Sequence, residues 1–216
     1  MKFIVINLSE WERTEVFNHF LAQKTSFSMT NEMDITNLYH YLKEQDHSFY
    51  PGFIYLLTTI ANQDSHYRMS FDEKGRLGYW DKLVPLYTIF AEETHQFSTL
   101  STDFSADFNT FKQNYLTDVA AFSATGKLFP QPSVPENVLS ISMIPWVSFT
   151  GFNLNVTNGT PYLLPIVTGG KFIFRNERVF LPVSLQVHHA VCDGFHAANF
   201  LNQFGEMSAA PWKYFQ

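Results

Sequence analysis

The chain has 216 residues, 45% of them hydrophobic, which is enough apolar side chain to build a full core and is expected to form one domain over residues 1–216. Its formal net charge is −6, with no cluster of Lys or Arg, which excludes an electrostatic nucleic-acid surface and a polybasic membrane anchor. The 23 Phe, 10 Tyr and 4 Trp must fill the interior or line a pocket for a small organic ligand. Cys192 is the one cysteine, so no disulfide forms within the chain and a reducing cytoplasm is expected.

The apolar run Met1 to Leu8 is too short for a signal-peptide core and predicts a first strand. Ser9 followed by Glu12 has the spacing of a capping box, with Trp11, Val16, Phe17 and Phe20 marking a short helix that carries Arg13. A strand over Ser26–Thr30 leads to a helix capped by Asp34 and running to about Gln45. Pro51 then sits near the start of a helix to about Gln63, whose apolar stretch is far short of a membrane span. Tyr67–Asp72 and Leu77–Asp81 form a hairpin about Glu73-Lys74-Gly75-Arg76, and strands follow at Leu86–Ala91 and Phe97–Leu100. Phe104, Phe108, Phe111 and Tyr115 give the apolar stripe of a helix from about Ser105 to Ala124.

After a Pro-rich loop at Leu128–Pro132, strands are expected at Val138–Ile144 and around Phe152–Val156. A hairpin of Lys171–Arg175 and Arg178–Val187, joined by Asn176-Glu177, and a helix from Gly194 to Met207 complete the chain. The fold class is therefore α/β or α+β, a two-layer sandwich with one large mixed sheet and flanking helices. Two sequons, at Asn155 and Asn158, matter only in a secretory pathway that nothing else supports.

The long apolar strand before residue 188 runs straight into His188-His189, with Asp193-Gly194 opening the last helix. A neutral imidazole at such a junction can take a proton from a hydroxyl and return it within one turnover. Four readings stay open on the residues alone. His189 is a packed, hydrogen-bonded core histidine, or a general base, or part of a triad with Asp193, or a metal ligand with Cys192 and His196. The chain lacks His-Glu-x-x-His, Gly-x-Ser-x-Gly and a phosphate-binding Gly loop, which removes the zincin, hydrolase-elbow and P-loop readings.

The string His188-His189-Ala190-Val191-Cys192-Asp193-Gly194-Phe195-His196 resembles the active-site signature of the trimeric, type A chloramphenicol acetyltransferases. They fall within the wider His-His-x-x-x-Asp-Gly acyltransferases. The resemblance extends along the chain through Trp11-Glu12-Arg13, Phe49-Tyr50-Pro51, Gln96-Phe97-Ser98, Lys127 to Gln131, Pro145-Trp146-Val147 and Pro165 to Thr168. It implies acetyl transfer from acetyl-coenzyme A, as co-substrate, to the 3-hydroxyl of chloramphenicol, conferring antibiotic resistance. No permanently bound cofactor and no metal are implied.

By the same resemblance His189 is the base, its other ring nitrogen held by a backbone carbonyl, and no acyl-enzyme forms. Ser142 donates to the oxyanion and Thr168 supports the intermediate through water. Asp193 pairs with Arg13 to brace the turn. Phe20, Thr25, Phe97, Phe129, Phe152, Leu154 and Ile166 match antibiotic-binding positions, and Trp146 and Phe172 match coenzyme positions. The protein is then a bacterial, cytoplasmic homotrimer with active sites between subunits.

Phe20 and Phe172 stand where tyrosine is common, Ser140 where asparagine is, and Gly151 where serine is. Lost hydroxyls weaken polar contacts to a ligand. The alternatives are an acyltransferase for another hydroxyl or thiol acceptor, as in dihydrolipoyl acyltransferase cores, and a non-catalytic antibiotic-binding homologue.

Overall fold

A computed structural model describes residues 1–154, 156 and 161–215. Its elements are, in chain order, β1 (Phe3–Val5), α1 (Thr14–Ala22), β2 (Ser26–Asp34), α2 (Thr36–Glu44), α3 (Phe49–Gln63), a 3-10 turn (Ser65–Arg68), β3 (Met69–Phe71), β4 (Leu77–Trp80), β5 (Val84–Ala91), β6 (Gln96–Ser101), α4 (Phe108–Phe122), β7 (Val138–Met143), β8 (Ile166–Gly169), β9 (Ile173–Arg175), β10 (Arg178–His188) and α5 (Gly194–Ala209).

The main sheet has seven strands in the order β2-β10-β8-β7-β5-β6, with β9 paired to the start of β10. β7 lies parallel to both β5 and β8, and the other pairs are antiparallel, so the sheet is mixed. Strand β10 is the longest and is covered on both faces: Val183, Leu185 and Val187 are fully buried on one, and Ser184 and His188 are buried on the other beside the half-buried Gln186. Helices α3 and α5 pack against one another and onto β5, β10 and β2. Gly169 shows how close the contact is, since a Cβ there would lie 3.3 Å from the Phe53 ring of α3. On the opposite face the segment after β7 crosses the sheet, the Ser184 hydroxyl donating to the Phe152 carbonyl at 2.6 Å.

The hairpin turn Asn176-Glu177 has both residues at positive φ, 50° and 61°, the twist that two-residue hairpins favour. Asp34 is not the N-cap expected for α2: Ile35 holds that position with no side-chain cap, and Asp34, the last residue of β2, accepts from the Thr36 amide at 3.0 Å from one residue further out.

Other expectations are corrected. The Ser9–Glu12 capping box does not form. Ser9 Oγ instead donates to Asn7 Oδ1 at 2.8 Å, and α1 begins at Thr14 with no side-chain cap. Residues Phe152–Leu154 are not a strand, because their polar backbone is satisfied by Ser184 and by the Gln186 side chain rather than by a ladder. Asn155 and residues 157–160, on which the sequons fall, lie outside the described residues. Tyr67 belongs to the 3-10 turn and not to the first hairpin strand. Strand β8 was not expected at all.

The smaller sheet, β1-β4-β3, joins the N-terminal strand to the hairpin. Gly78 is required there by close approach, since a Cβ would sit 2.4 Å from the Ile4 carbonyl oxygen and 2.5 Å from the Phe3 ring. Backbone cannot yield as a flexible side chain does. Gly78→Ala should therefore cost about 1–3 kcal/mol of stability, as overpacking commonly does, read as a lower urea midpoint at unchanged slope.

Candidate active site

The site begins where β10 stops. The amides of Val191 and Cys192 both donate to the His188 carbonyl, at 3.1 and 3.0 Å, and fold the chain into a tight turn before α5. His188 is part of that turn, its Nδ1 accepting from the Ala190 amide at 3.2 Å. Burial, aided by the neighbouring His189, lowers its pKa and so favours the neutral ring.

His189 is held differently. Its amide donates to the Thr25 carbonyl at 2.9 Å, which ties the turn to the start of β2. Its imidazole stacks face to face on the ring of Phe20, with centroids 3.7 Å apart and planes 3° apart, and meets the Phe27 ring edge-on at 5.2 Å. Aromatic pairs of this kind are worth about 0.5–1.5 kcal/mol beyond their buried area. The carbonyl expected to hold His189 Nδ1 is not there, since that atom is buried with no hydrogen-bond partner among the described residues. Ring packing sets the imidazole's orientation within this chain.

Asp193 joins three elements through one carboxylate. Oδ2 accepts from Arg13 Nη1 at 3.1 Å, which anchors α1 to the turn. Oδ1 accepts from the Phe195 and His196 amides at the start of α5 and lies 2.8 Å from His196 Nδ1. Burial opposes its ionisation, but hydrogen bonds from His196 and Arg13 outweigh burial and bring the pKa to about 2. No contact joins Asp193 to the His189 ring among the described residues, so the triad geometry is not formed. The trio His189, Cys192 and His196 is not a ligand set either. Cys192 is buried and its thiol pKa is pushed up by that burial, so it is not a thiolate. The group that does gather around His196 is Asp64 and His66, which no spacing in the sequence indicated.

Ser142 and Thr168 meet across the parallel pair β7–β8, hydroxyl to hydroxyl at 3.1 Å. Thr168 stands opposite Ser184 on β10, and Ser184 accepts from Thr30 on β2 at 3.0 Å. A row of hydroxyls thus crosses one face of the sheet. Ser184 lies four residues before the end of β10 at His188, so at about 3.3 Å per residue the row stands on the order of 13 Å back along the strand from the turn that carries His189. Ser142 is two strands further across.

The remaining expected residues also divide. Phe20 and Thr25 stand with His189 at the β2 edge. Phe97, 54% exposed, lies on β6 at the opposite edge, with Phe129, 51% exposed, on the loop after α4. Phe152, Leu154 and Ile166 are near the hydroxyl row, at or beside β8 and β10. Trp146 is 58% exposed and rests edge-on against Phe90. Phe172 is drawn into an aromatic group with Tyr39 and Phe49.

Sequence comparison gives this geometry its context. A family profile described as chloramphenicol acetyltransferase matches residues 1–205. Two chloramphenicol acetyltransferases of Staphylococcus aureus are 50% and 44% identical to the chain. The first alignment covers 98% of both chains, the second 94% of this chain and 98% of the relative. A solved chloramphenicol acetyltransferase is similar with a TM-score of 0.86 at 25% identity, over 95% of this chain and 99% of that one. The sheet, the His-His turn and these relatives define an acyltransferase-like fold, and the protein is an acyltransferase. The chain belongs to the chloramphenicol acetyltransferase family.

Because the Asp193 pKa is about 2 against an ordinary 3.8, its ionised form contributes stability above pH 3.8 that is lost as pH falls towards 2. Asp193→Asn should be less stable than wild type at neutral pH. The gap should close as pH falls through that window, followed by urea denaturation at a series of pH values. A constant gap would count against an ionised Asp193.

Proposed function

We propose that the protein acetylates the 3-hydroxyl of chloramphenicol with acetyl-coenzyme A as co-substrate, His189 acting as general base and no acyl-enzyme forming. The observation that carries this is the 50% identity, over 98% of both chains, to a chloramphenicol acetyltransferase. The family's His-His-x-x-x-Asp-Gly string stands here on a turn braced by Arg13.

In the proposed reaction His189 Nε2 removes the hydroxyl proton as the oxygen attacks the thioester carbonyl. The tetrahedral intermediate carries an oxyanion. Ser142 donates a hydrogen bond to that oxyanion and keeps its proton, which it is free to do when Thr168 donates into Ser142 Oγ across their 3.1 Å contact. Thr168 still has lone pairs for a water that supports the intermediate. Collapse breaks the carbon–sulfur bond, and the departing thiolate recovers the proton from His189.

The apolar wall is assigned to Phe20, Thr25, Phe97, Phe129, Phe152, Leu154 and Ile166, and coenzyme contact to Trp146 and Phe172. Phe20 lacks a phenolic hydroxyl and therefore serves through its stack on His189.

Two edges of one sheet cannot enclose one small molecule. The separation of His189 from Ser142, and of Phe20 from Phe97, supports sites shared between identical chains, His189 of one subunit facing Ser142 and the pocket of another. A homotrimer, cytoplasmic and acting as a single domain in each chain, is the assembly proposed. Among the described residues no helix is long and apolar enough to cross a membrane.

Thiol release from acetyl-coenzyme A should depend on added chloramphenicol, and folded oligomer without such release would overturn the reading. His189→Ala should lower kcat/KM by about 10²–10⁴, and Ser142→Ala by about 10²–10³. Co-expression of the two inactive variants tests the sharing of sites. Mixed oligomers should regain activity, because some sites pair an intact His189 with an intact Ser142. Activity no higher than that of either variant alone would place both groups in one chain's site.

A further inference from the structure

Asp64, His66 and His196 each present one ligand atom, and the three atoms lie within 4.8 Å of one another. We propose that they form a binding site for one divalent transition-metal ion of the zinc class, beyond anything the acetyltransferase reaction requires. Two imidazoles and a carboxylate are the donor set that such ions favour, with a further position left for solvent.

The geometry is near what an ion needs. The two histidine rings are 4.1 Å apart and tilted by 42°. Asp64 Oδ1 and His66 Nδ1 are 2.8 Å apart and share a proton in the ion's place. Ligands about 2.1 Å from a tetrahedral ion stand about 3.4 Å from each other, so side-chain shifts of well under 2 Å gather the set.

The ligands come from rigid backbone. Asp64 caps the 3-10 turn by accepting from the His66 amide at 2.9 Å, and Tyr67 from the same turn donates to the His196 carbonyl at 2.7 Å. The turn and the first turn of α5 are thereby clamped together. His196 also has the outer partner typical of a metal-bound histidine, a carboxylate at its other nitrogen. Its Nδ1 lies 2.8 Å from Asp193 Oδ1 and 3.2 Å from the Asp193 amide. An ion on Nε2 selects the form in which Nδ1–H donates to the carboxylate, in place of the form in which Nδ1 accepts from the Asp193 amide. The side chains of Asp64, His66 and His196 are 32%, 24% and 10% exposed, so the group is sheltered yet reachable.

Nearby groups do not compete. Asp193 is engaged by Arg13 on its far oxygen, and Cys192 holds its proton while its sulfur contacts the His66 carbonyl at 3.5 Å.

Untagged, chelator-stripped protein should bind one Zn²⁺ per chain in equilibrium titration, with a rise in Tm. Asp64→Asn and His66→Gln, both at partly exposed positions, should weaken binding at least about tenfold and abolish the rise. Equal affinity in His66→Gln and wild type would overturn the proposal. A measurement on wild type alone guards against variants that fail to fold. Co²⁺ should broaden the amide resonances of residues 64–68 and 193–197 before those around His19, His40, His47 and His95. Broadening elsewhere first, or none, would equally reject the site. Acetyltransferase activity enters neither readout, so the two proposals fail separately.

Discussion

Everything near the His-His turn depends on where β10 ends. The strand is paired on both sides, with β2 from Phe180 to His188 and with β9 and β8 in succession on the other. Its buried parity is locked under α3 and α5. A strand fixed this firmly cannot slip by one residue without taking Val183, Leu185 and Val187 from under α3 and α5 and putting the buried polar side chains of Ser184 and His188 in their place. The register that protects the core is therefore the same one that delivers His189 to the sheet's end.

From there a single carboxylate takes over. Asp193 begins α5, receives α1 through Arg13 and touches His196, so the turn's shape is fixed from three directions by groups that do no chemistry in the proposed reaction. The imidazole itself is oriented by two aromatic rings. Such packing fixes a ring plane without a hydrogen bond to either nitrogen, and with Nδ1 buried it leaves Nε2 to be defined by whatever approaches it. This is a looser arrangement than a hydrogen-bonded triad, and it suits a site whose other half is supplied from elsewhere.

The sequence revealed elements wherever one force dominated. Helices α2 and α4 follow from apolar spacing, α3 from Pro51 near its start, and the Asn176-Glu177 hairpin from turn length. Ser9 and Glu12 misled because cap spacing describes only local bonding, and the Asn7 side chain offered Ser9 a nearer acceptor. Strand β8 escaped notice because a four-residue, fully buried strand between Pro165 and Gly170 has no alternation to detect. The ion pair of Arg13 with Asp193 was legible only through resemblance, since the residues lie 180 apart in sequence. Asp64 and His66 were invisible as partners of His196 for the same reason. Residues such as Phe97, distant from His189 in one chain, cannot be placed by any single-chain reading.

The pairing of β2 with β10 has a consequence in time. β2 is an edge strand whose one neighbour in the sheet is β10, among the described elements, so it is synthesised early and waits for nearly the whole chain. Long-range pairing of this kind slows folding, because loop entropy is lost before contacts repay it, and it leaves an unpaired strand exposed meanwhile. A nascent chain stalled before β10 would hold most of the sheet and helices but no turn, no brace and no imidazole. Production of the active protein is then governed by how well an incomplete sheet avoids aggregation before its penultimate element emerges.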